Sequence, residues 1–444
     1  MAERISVFGT GYLGATHAAG MAELGHEVIG VDIDPSKIER LARGEAPFFE
    51  PGLPELLSKH VESGRLRFTT DAATAAAFAD VHFIAAGTPQ VENGYGADMS
   101  HVDSVVETLA PMLDRPAVIL GKSTVPVGTA QRLAARVREL APAGDQVQLG
   151  WNPEFLREGL AVEDTLRPDR LVLGVDPHDP GRVEEVARRV YAQALERGTP
   201  FVVTDLATSE LVKVSANAFL ATKVSFINAI AEVCEATGAD VKDLADAIGY
   251  DERIGRKFLG AGLGFGGGCL PKDIRAFMAR AGELGVDQAL TFLREVDTVN
   301  LRRRQHVVNL AAAQVGGRLN GARIAVLGAA FKPDSDDVRD SPALDVAGTL
   351  HLKGAQVRVH DPQAMDSAAR VWPTLDFVPT PDDAMRDADL VIVATEWTVF
   401  RELDPDHVGR LVAHKRIIDA RNCLPERAWI DAGWAYRGMG RHSA

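Results

Sequence analysis

The chain has 444 residues, of which 46% are hydrophobic and 25% are charged, and its formal net charge is −14. This length predicts two or three domains, and the composition is that of an ordinary globular protein. The acidic balance argues against a general nucleic-acid-binding protein, and three cysteines are too few for a disulfide framework.

The amino terminus enters a strand pattern almost at once. Arg4–Phe8 is rich in strand-forming residues, which leaves no room for a signal peptide before it. No apolar run reaches the roughly 18 residues that a membrane helix needs. We therefore expect a cytoplasmic protein with reduced thiols that binds neither a membrane nor nucleic acid.

A dinucleotide-binding pattern follows the first strand. The strand runs directly into Gly9-Thr-Gly11-Tyr12-Leu13-Gly14, and after a helical pattern the next strand closes on Asp32. In this order Gly9 permits the tight turn, Gly11 lets a pyrophosphate approach, and Gly14 lets the helix pack on the strand. Asp32 would accept hydrogen bonds from ribose hydroxyls and repel a 2′-phosphate, which favours NAD over NADP. Lys37 is either a ribose or phosphate contact or a solvated helix lysine.

Three further strands fit the same sheet, and each ends in polar residues. Residues 80–86 lead to Thr88, residues 116–121 lead to Thr124, and residues 148–150 lead to Asn152 and Glu154. Ligands of open α/β sheets bind at the carboxyl ends of the strands, so these side chains are candidates for a site.

Two long helices are predicted in the middle of the chain, over Thr208–Thr237 and Gln288–Gln314. Lys213 and Asn217 are four residues apart on the first helix and share a face, which is either functional or simply exposed. Long helices that join two domains commonly carry a dimer contact.

Cys269 lies at the end of the glycine-rich stretch Ala261-Gly-Leu-Gly-Phe-Gly-Gly-Gly-Cys269-Leu-Pro-Lys272-Asp273. Glycines let a backbone approach a ligand closely, and a nearby cation favours the nucleophilic thiolate, so this thiol is a candidate covalent catalyst. Cys234 and Cys423 are typical of buried small hydrophobic residues. The histidines show no metal-ligand spacing with cysteine, so no metal is predicted.

The C-terminal part repeats the N-terminal plan in altered form. Arg323–Ala330 is similar to Arg4–Gly11 without two of the three glycines, and Gly354–Asp361 matches Gly25–Asp32. The second copy also contains an inserted charged loop with Lys332 and Arg339, which either binds the anion or ribose of a different nucleotide-like ligand or is solvated. The repeat predicts an α/β protein of two doubly wound Rossmann-like domains joined by a central helical segment.

Taken together, the motifs resemble the nucleotide-sugar 6-dehydrogenases of the UDP-glucose/GDP-mannose dehydrogenase family. The similarity runs from Ile5 to about Asn422, with Gly268 where the family often has serine. Asn152–Gly159 followed by Arg167–Arg170 resembles the UDP-glucose branch more than the GDP-mannose branch. Gly268 and Lys272 argue against the UDP-N-acetylmannosamine branch.

The resemblance implies a domain plan and a reaction. Residues 1–200 would form the NAD-binding domain, 201–300 a helical dimerisation domain with the cysteine loop, and 301–444 the UDP-sugar-binding domain. A primary alcohol of UDP-glucose would be oxidised twice, to the carboxylate of UDP-glucuronate, with NAD as the cofactor and a homodimer as the expected assembly. Cys269 would trap the intermediate aldehyde as a thiohemiacetal, which a second oxidation converts to a thioester for hydrolysis.

The resemblance also implies roles for individual residues. Besides Cys269, the catalytic set would be Lys213 and Asn217 for oxyanions, Asp273 and Thr124 for protons, and Glu154 or Glu158 as the hydrolytic base. The cofactor would contact Gly9, Gly11, Tyr12, Leu13, Gly14, Asp32, Lys37, Thr88, Thr124, Glu158, Lys272 and Arg339. The substrate would contact Phe155, Leu156, Arg157, Glu158, Gly159, Lys213, Asn217, Phe258, Leu259, Gly260, Ala261, Gly262, Phe265, Gly266 and Lys332, and Arg253 would reach the neighbouring subunit's substrate.

Three alternatives remain open. The same reaction on GDP-mannose or another nucleotide sugar is the nearest one. A simple two-electron hydroxyacid or sugar dehydrogenase shares the first domain but needs no cysteine. A non-catalytic NAD-binding regulator is the third, and the joint presence of Cys269, Lys213, Asn217 and Asp273 argues against it.

Overall fold

The computed structural model describes residues 2–441 as an α/β protein. The chain divides into two compact units. The first unit runs to Ala216 and also includes Arg275–Gly285, and the second comprises Asn217–Ile274 and the chain from Val286 onward. Each unit contains one open β-sheet.

The first unit is built on an eight-stranded sheet with the order β3-β2-β1-β4-β5-β6-β7-β8. Its strands are β1 (Arg4–Phe8), β2 (Glu27–Val31), β3 (Leu66–Thr69), β4 (Val81–Ile84), β5 (Ala117–Gly121), β6 (Val147–Trp151), β7 (Leu171–Val175) and β8 (Phe201–Asp205). Neighbouring strands are parallel except β6 and β7, which pair antiparallel. The five predicted strands of this unit all form, and β3, β7 and β8 extend the sheet beyond the prediction.

Helices cover both faces of this sheet. They are α1 (Tyr12–Glu23), α2 (Pro35–Ala42), α3 (Leu53–Glu62), α4 (Ala72–Phe78), α5 (Ser100–Leu109), α6 (Thr129–Leu140), α7 (Ala161–Leu166), α8 (Arg182–Val190) and α9 (Ala192–Glu196). Because successive strand residues point to opposite faces, Val7 joins one buried cluster and its neighbour Phe8 joins another. The central strands are therefore almost wholly buried, as expected for a parallel sheet between two helical layers, whereas the edge strands β3 and β8 are partly exposed.

Long helices occupy the middle of the chain. These are α10 (Leu206–Thr237), α11 (Val241–Gly249), α12 (Leu270–Glu283) and α13 (Thr291–Gln314). α10 begins two residues earlier than predicted. α13 begins three residues later than predicted, because Asp287–Leu290 forms a separate 3₁₀ turn.

By length and composition alone, α10 is able to cross a membrane. The prediction that no apolar stretch reaches that length missed this helix, because it considered uninterrupted runs and Lys223 interrupts a stretch whose average hydropathy is still high. In the protein, 44% of the most apolar window of this helix is buried. One such helix is weak evidence for a membrane span, since the core helices of water-soluble proteins pass the same test.

The second unit carries a six-stranded parallel sheet with the order β11-β10-β9-β12-β13-β14. Its strands are β9 (Arg323–Leu327), β10 (Gln356–His360), β11 (Asp376–Phe377), β12 (Leu390–Val393), β13 (Arg416–Asp419) and β14 (Ala435–Gly438). Its helices are α14 (Pro342–Leu352), α15 (Met365–Val371), α16 (Pro381–Met385), α17 (Thr398–Arg401), α18 (Pro405–Leu411) and α19 (Glu426–Asp431). The central order β10-β9-β12 repeats β2-β1-β4, which confirms the predicted pair of Rossmann-like folds.

The acid that ends the second strand differs between the two copies. Asp361 is fully buried, and its Oδ2 accepts hydrogen bonds from the amides of Ala329 and Ala330 and from the indole of Trp397. Its Oδ1 accepts from the amides of Gln363 and Ala364 at 2.9 Å each. Because Asp361 is fully buried and all of its donors are the protein's own, this acid clamps the turn after β9 rather than facing a ligand.

Candidate active site

The glycine turn after β1 combines tight packing with an open edge. Gly9 has a φ of +91°, and a Cβ on Gly14 would lie 1.7 Å from the Gly9 carbonyl oxygen, so both positions need glycine. A Cβ on Gly11 would meet nothing within 4 Å. The helix α1 that starts here has no side-chain cap and no acidic residue in its first turn. Its amides are therefore available to an anion such as a pyrophosphate.

Asp32 is fixed as an anion beside this turn. Its Oδ2 accepts hydrogen bonds from the amide and hydroxyl of Thr10 at 2.8 and 3.0 Å and from Lys37 Nζ at 2.9 Å, and its Oδ1 accepts from the Asp34 amide. Burial raises the pKa of Asp32, but the hydrogen bonds from Lys37 and Thr10 outweigh it and hold the pKa below its usual value. The Lys37 ammonium thus forms an ion pair with the Asp32 carboxylate. The turn and this carboxylate together fit a dinucleotide whose ribose carries free hydroxyls.

The loops after β4 and β5 are joined by one hydrogen bond. The Thr88 hydroxyl donates to the Thr124 carbonyl at 2.8 Å. Ser123, next to Thr124, donates from its hydroxyl to the Ala86 carbonyl at 2.6 Å. Two residues predicted to contact the cofactor, Thr88 and Thr124, are therefore held in register with each other.

Glu154 forms a buried ion pair that the sequence reasoning missed. Its Oε2 lies 2.7 Å from the ammonium of Lys122, which is only 3% exposed at the end of β5. Its Oε1 accepts from the amides of Phe155 and Leu156 at 2.8 and 3.2 Å. Burial raises the pKa of Glu154, but the charge of Lys122 and its hydrogen bond outweigh burial and lower it below the usual value. Glu154 is therefore a carboxylate at neutral pH.

Lys122 is itself held by polar neighbours. Asn152 Oδ1 accepts from Lys122 Nζ at 3.2 Å and from the Tyr191 hydroxyl at 2.6 Å, and the Lys122 ammonium lies 5.8 Å from the centre of the Tyr191 ring. The only sequence signal for Lys122 was a lysine at the end of a buried strand, directly before Ser123 and Thr124. A cation in that position requires a buried anion, and Glu154 supplies it.

The loop after Glu154 presents an aromatic ring to two cations. The guanidinium of Arg170 lies 4.0 Å and the ammonium of Lys213 lies 5.4 Å from the centre of the Phe155 ring. Arg157, by contrast, is paired with Asp164, with Nη2 at 2.5 Å from Oδ1. Of the residues predicted to line the substrate here, Phe155 lies next to the predicted catalytic Lys213, whereas Arg157 is taken up by an ion pair.

Cys269 stands at the start of α12 and is the exposed one of the three cysteines. Its carbonyl accepts the first helical hydrogen bond, from the Asp273 amide at 2.9 Å. The positive end of the helix therefore lies at the thiol, where it stabilises a thiolate. Cys234 is buried and Cys423 is half-buried.

Asp273 gathers two other predicted catalytic or cofactor residues. It is 2% exposed, and its Oδ2 accepts from Asn217 Nδ2 at 2.6 Å while its Oδ1 accepts from Lys272 Nζ at 2.7 Å. Asn217 of α10 thus meets Lys272 and Asp273 in the first turn of α12, directly after Cys269. Lys213 lies one turn before Asn217 on α10.

The glycines before Cys269 are required by the protein's own packing. A Cβ at five of them would come within 3 Å of a neighbouring heavy atom of the second unit. The clashes involve Gly262 with Ala420, Gly264 with Asn300, Gly266 with Asp340, Gly267 with Phe331, and Gly268 with Arg339. Gly268, where the family often has serine, leaves space that the Arg339 guanidinium occupies. Close approach to a ligand is thus not needed to explain this glycine run.

Side chains of the second unit fasten the same loop. Asn300 accepts from the Phe265 amide at 2.8 Å and donates to its carbonyl at 2.9 Å, and Arg421 donates to the Gly264 carbonyl at 2.8 Å. Most of the predicted substrate-lining residues of this stretch are buried, namely Leu259, Ala261, Gly262, Phe265 and Gly266. Phe258, with a φ of +66°, and Gly260 are exposed.

The charged loop of the second copy is ordered by its own contacts. Arg339 pairs with Asp337 through Nε and Nη2 at 2.9 and 2.7 Å, and its carbonyl accepts from the Gly267 amide at 2.9 Å. Lys332 Nζ lies 5.5 Å from the centre of the Phe331 ring. Arg253 is exposed and forms an ion pair with Asp251 at 2.6 Å. Within residues 2–441, no group of three or more His, Cys, Asp or Glu side chains is arranged to hold a metal ion.

Three models of one protein family match the chain in sequence. The model described as the NAD binding domain of the UDP-glucose/GDP-mannose dehydrogenase family matches residues 3–195. The central domain of the same family matches residues 207–302, and its UDP binding domain matches residues 325–426.

Individual relatives are similar over their full length. The chain is 43% identical over 438 residues to a UDP-glucose 6-dehydrogenase of Rhizobium meliloti, with 99% of both chains covered. It is 40% identical over 441 residues to UDP-glucose 6-dehydrogenase TuaD of Bacillus subtilis, covering 99% of this chain and 93% of that one. A solved structure of a UDP-glucose dehydrogenase from Pyrobaculum islandicum has a TM-score of 0.90 at 37% identity, with 100% and 98% of the two chains covered.

Proposed function

The chain belongs to the UDP-glucose/GDP-mannose dehydrogenase family, and from that premise we propose that it oxidises UDP-glucose to UDP-glucuronate through a covalent intermediate on Cys269. The family confirms the resemblance drawn from the sequence motifs, and the chain is an NAD-dependent oxidoreductase. The choice of UDP-glucose rests on one observation, the 43% identity to a UDP-glucose 6-dehydrogenase across 99% of both chains.

NAD is the cofactor, the Gly9–Gly14 turn would hold it, and when bound it would supply the hydride acceptor for both oxidations. The turn binds its pyrophosphate through the amides at the start of α1. The Asp32 carboxylate, with its lowered pKa, accepts from the ribose hydroxyls. The same negative charge repels a 2′-phosphate, which favours NAD over NADP.

Cys269 captures the aldehyde that the first oxidation produces. The primary alcohol loses a hydride and a proton. The thiolate sulfur then bonds to the aldehyde carbon while the aldehyde oxygen takes up a proton, which gives a thiohemiacetal. Loss of a second hydride and of the hydroxyl proton leaves a thioester, and water adds to its carbonyl carbon and breaks the carbon–sulfur bond to release the carboxylate, the thiol and a proton. Covalent capture divides a difficult oxidation into easier steps and prevents the escape of the aldehyde.

The residues around Cys269 support this assignment. Asp273, buried and joined to Asn217 and Lys272, is placed to hold or pass a proton close to the first turn of α12. Asn217 and, one helical turn away, Lys213 stabilise the oxyanions that form on the substrate. Thr124 assists in proton handling, and Glu154 or Glu158 takes the proton of the water that attacks the thioester.

The second unit binds the sugar nucleotide. The family model that matches residues 325–426 is a UDP binding domain, which supports a nucleotide-sugar substrate. We assign Lys332 to its anionic groups and Arg339 to the cofactor. The division into residues 1–200, 201–300 and 301–444 as NAD-binding, helical and UDP-sugar-binding domains is part of the same proposal.

We propose a homodimer formed through α10, in the cytoplasm. Phe219, Phe226 and Val233 are spaced seven residues apart on this helix and are 65%, 51% and 55% exposed. Residues at this spacing share one face, and an exposed apolar stripe of this length favours a partner helix. A second copy also explains Arg253, which would reach the substrate of the neighbouring subunit.

A substrate screen with counted NADH tests the proposal. Purified protein is incubated with NAD and either UDP-glucose or GDP-mannose, and NADH and the uronate are measured together. We expect two NADH per UDP-glucuronate and none with GDP-mannose. NADH from GDP-mannose alone would overturn the substrate, and one NADH per sugar would indicate a simple two-electron dehydrogenase. Absence of NADH with every sugar nucleotide, together with retained NAD binding, would indicate a regulator.

A further inference from the structure

Glu50 is a buried carboxylate outside the residues assigned so far. It lies between α2 and α3 and is 1% exposed. Its Oε1 accepts a hydrogen bond from the Ala161 amide at 2.7 Å, and its Oε2 accepts from the Gly159 amide at 2.7 Å and from the Tyr12 hydroxyl. Both oxygens are therefore used to hold other parts of the first unit.

The donors come from the start of α1, directly after the dinucleotide turn, and from the segment that follows Glu158. Tyr12 is the first residue of α1, directly after Gly11, and its ring packs on Phe48 with the ring centres 4.8 Å apart. Gly159, with a φ of +78°, directly follows Glu158, and its amide also lies 3.0 Å from the Tyr12 hydroxyl oxygen. One carboxylate thus joins the dinucleotide turn to the end of the loop that carries Glu154 and Glu158.

The segment after this loop is anchored in the same place. Ala161 begins α7, and α7 packs on α1 so closely that a Cβ on Gly20 would lie 2.4 Å from a methyl group of Thr165. The Glu50 carboxylate binds the amide of Ala161 at the start of that helix, where a negative charge is favourable. Glu50 therefore holds the first residue of α1, the last residue of the Glu154–Gly159 loop and the first residue of α7 in fixed positions relative to one another.

The carboxylate of glutamate can accept all three hydrogen bonds at this position, whereas the side-chain amide of glutamine cannot. A carboxylate is an acceptor only, so it can take three donors on its two oxygens at once. Glutamine offers one acceptor oxygen and an NH₂ donor, which would face either the Gly159 amide or the Ala161 amide. A buried amide left without an acceptor is costly, so the loop would leave its place.

We propose that Glu50 is a positioning residue for the oxidation, one that fixes the Glu154–Gly159 loop to the first turn of the cofactor-binding helix. The inference rests on the proposed function, because that loop contributes the carboxylates and the aromatic ring assigned to the sugar substrate. Glu50 itself touches neither ligand in this assignment and acts through Tyr12 and Gly159.

The test compares Glu50→Gln and Tyr12→Phe with the wild-type protein in steady-state kinetics and in direct NAD binding by calorimetry. For Glu50→Gln we expect the KM for UDP-glucose and the Kd for NAD each to rise by about tenfold to a hundredfold, the range for losing hydrogen bonds to a charged group. Tyr12→Phe keeps the ring on Phe48 and removes one hydroxyl, so both constants rise by a smaller factor of about three to ten.

A matched control separates positioning from general loss of structure. Asp179→Asn makes the same chemical change in the same unit, at a carboxylate that accepts from the amides of Arg182 and Val183 at the start of α8. We expect this variant to keep both the KM and the Kd of the wild type. A misfolded fraction lowers the amount of active enzyme without changing either constant, because KM and Kd do not depend on the concentration of active protein.

The outcomes decide the inference independently of the substrate. Unchanged constants in Glu50→Gln overturn it, as does an equal rise in Asp179→Asn. If Glu50→Gln does not fold, Tyr12→Phe decides, and wild-type constants in that variant overturn the inference. If the wild-type protein does not reduce NAD with UDP-glucose, the proposed function fails, and the Kd for NAD in the same variants still supports or overturns the role of Glu50.

Discussion

The ammonium of Lys122 and the carboxylate of Glu154 lie 2.7 Å apart at the carboxyl edge of the first sheet. Lys122 directly follows β5, and Glu154 lies three residues beyond β6, so the parallel pairing of these strands brings the charges together. Neither charge could be buried alone at reasonable cost. The pair therefore fixes both the place and the protonation state of a predicted catalytic residue.

Removing the cation should change the pH dependence of the enzyme. In Lys122→Met, no neighbouring lysine offsets the effect of burial on the Glu154 carboxylate, so the pKa of Glu154 rises from its lowered value. A base must be ionised to accept a proton, and a carboxylate with a lowered pKa stays ionised down to acidic pH. Raising its pKa therefore moves the acid limb of the pH profile of kcat to higher pH. Lys122→Arg keeps a cation and should restore the wild-type limb. An acid limb that is unmoved in Lys122→Met would contradict the role given to this pair.

The same pair makes a prediction about stability. Breaking a fully buried ion pair on one side costs about 3–5 kcal/mol. Because the Glu154 side chain left behind is 17% exposed, Lys122→Met should lower the free energy of unfolding by about 3 kcal/mol, the lower end of that range. The double variant Lys122→Met/Glu154→Gln leaves no unpaired charge and should recover most of the loss. Urea unfolding of the four proteins in this cycle measures the coupling, and additive losses would refute it.

Cys269 should be needed for turnover but not for cofactor binding. We expect Cys269→Ala to abolish the formation of UDP-glucuronate while the Kd for NAD is unchanged, because the thiol and the dinucleotide turn belong to different units. Cys423→Ala is the control, since burial raises the pKa of Cys423 and makes it a poor nucleophile. Iodoacetamide should label Cys269 first, and UDP-glucose should protect it. Sustained two-NADH turnover by Cys269→Ala would exclude the thioester.

Replacing Asp32 should weaken the preference for NAD. In Asp32→Ala the ribose loses its charged acceptor, so kcat/KM for NAD should fall by about tenfold to a hundredfold. The repulsion of a 2′-phosphate disappears and Lys37 loses its partner, so kcat/KM for NADP should rise. Lys37→Ala, with Asp32 intact, is the control and should gain no activity with NADP. The two cofactors are compared at a fixed concentration of UDP-glucose.

Two buried histidines should make the first unit sensitive to acid. Neither ring nitrogen of His17 has a hydrogen-bond partner among the described residues, and burial and Lys122 hold the pKa of His17 well below 6.5. Burial, with a smaller effect of Arg115, lowers the pKa of His82 to about 3. The unfolded chain takes up these protons below about pH 6.5 while the folded protein does not. Stability is therefore complete above that pH and falls as the pH drops, by about 1.4 kcal/mol per pH unit for each histidine.

The measurement is urea unfolding at several pH values between 7 and 5. In His17→Leu, the free energy of unfolding should fall less steeply with decreasing pH, because the contribution of one histidine is missing. Met21→Leu, which changes another buried side chain on α1, controls for repacking and should keep the full slope. Parallel stability curves for His17→Leu and the wild type would show that His17 does not contribute.

Disrupting the apolar stripe of α10 should separate the subunits. Phe226→Glu places a charge in the middle of the exposed stripe, where burial against a second copy would be unfavourable. We expect sedimentation to show a dimer for the wild type and a monomer for this variant. Leu352→Glu changes an equally apolar side chain that is 76% exposed in the second unit, and it should remain dimeric. A wild-type monomer would rule out the proposed dimer.

Local patterns predicted much of the fold and less of the site. The Gly9–Asp32 spacing and its altered copy at Gly328–Asp361 are local in sequence, so the two Rossmann-like sheets could be predicted. β7 could not, because its antiparallel pairing with β6 depends on a contact between strands that no local period indicates. Within the site, Lys122 and Glu50 were missed for the same reason. Each acquires its partner only when segments from 30 to more than 100 residues apart fold together.

The aspartate that follows the second strand has a different environment in each copy of the fold. In the first copy part of the Asp32 side chain stays exposed, whereas in the second Asp361 is fully buried and accepts from the amides of Ala329 and Ala330 and from Trp397. Restoring the lost glycines would therefore not return a dinucleotide site to the second copy, because its acceptor would remain turned inward. The same residue type at the same position of the repeat therefore lies at a partly exposed edge in one copy and holds the backbone together in the other, so its presence alone does not mark a dinucleotide site.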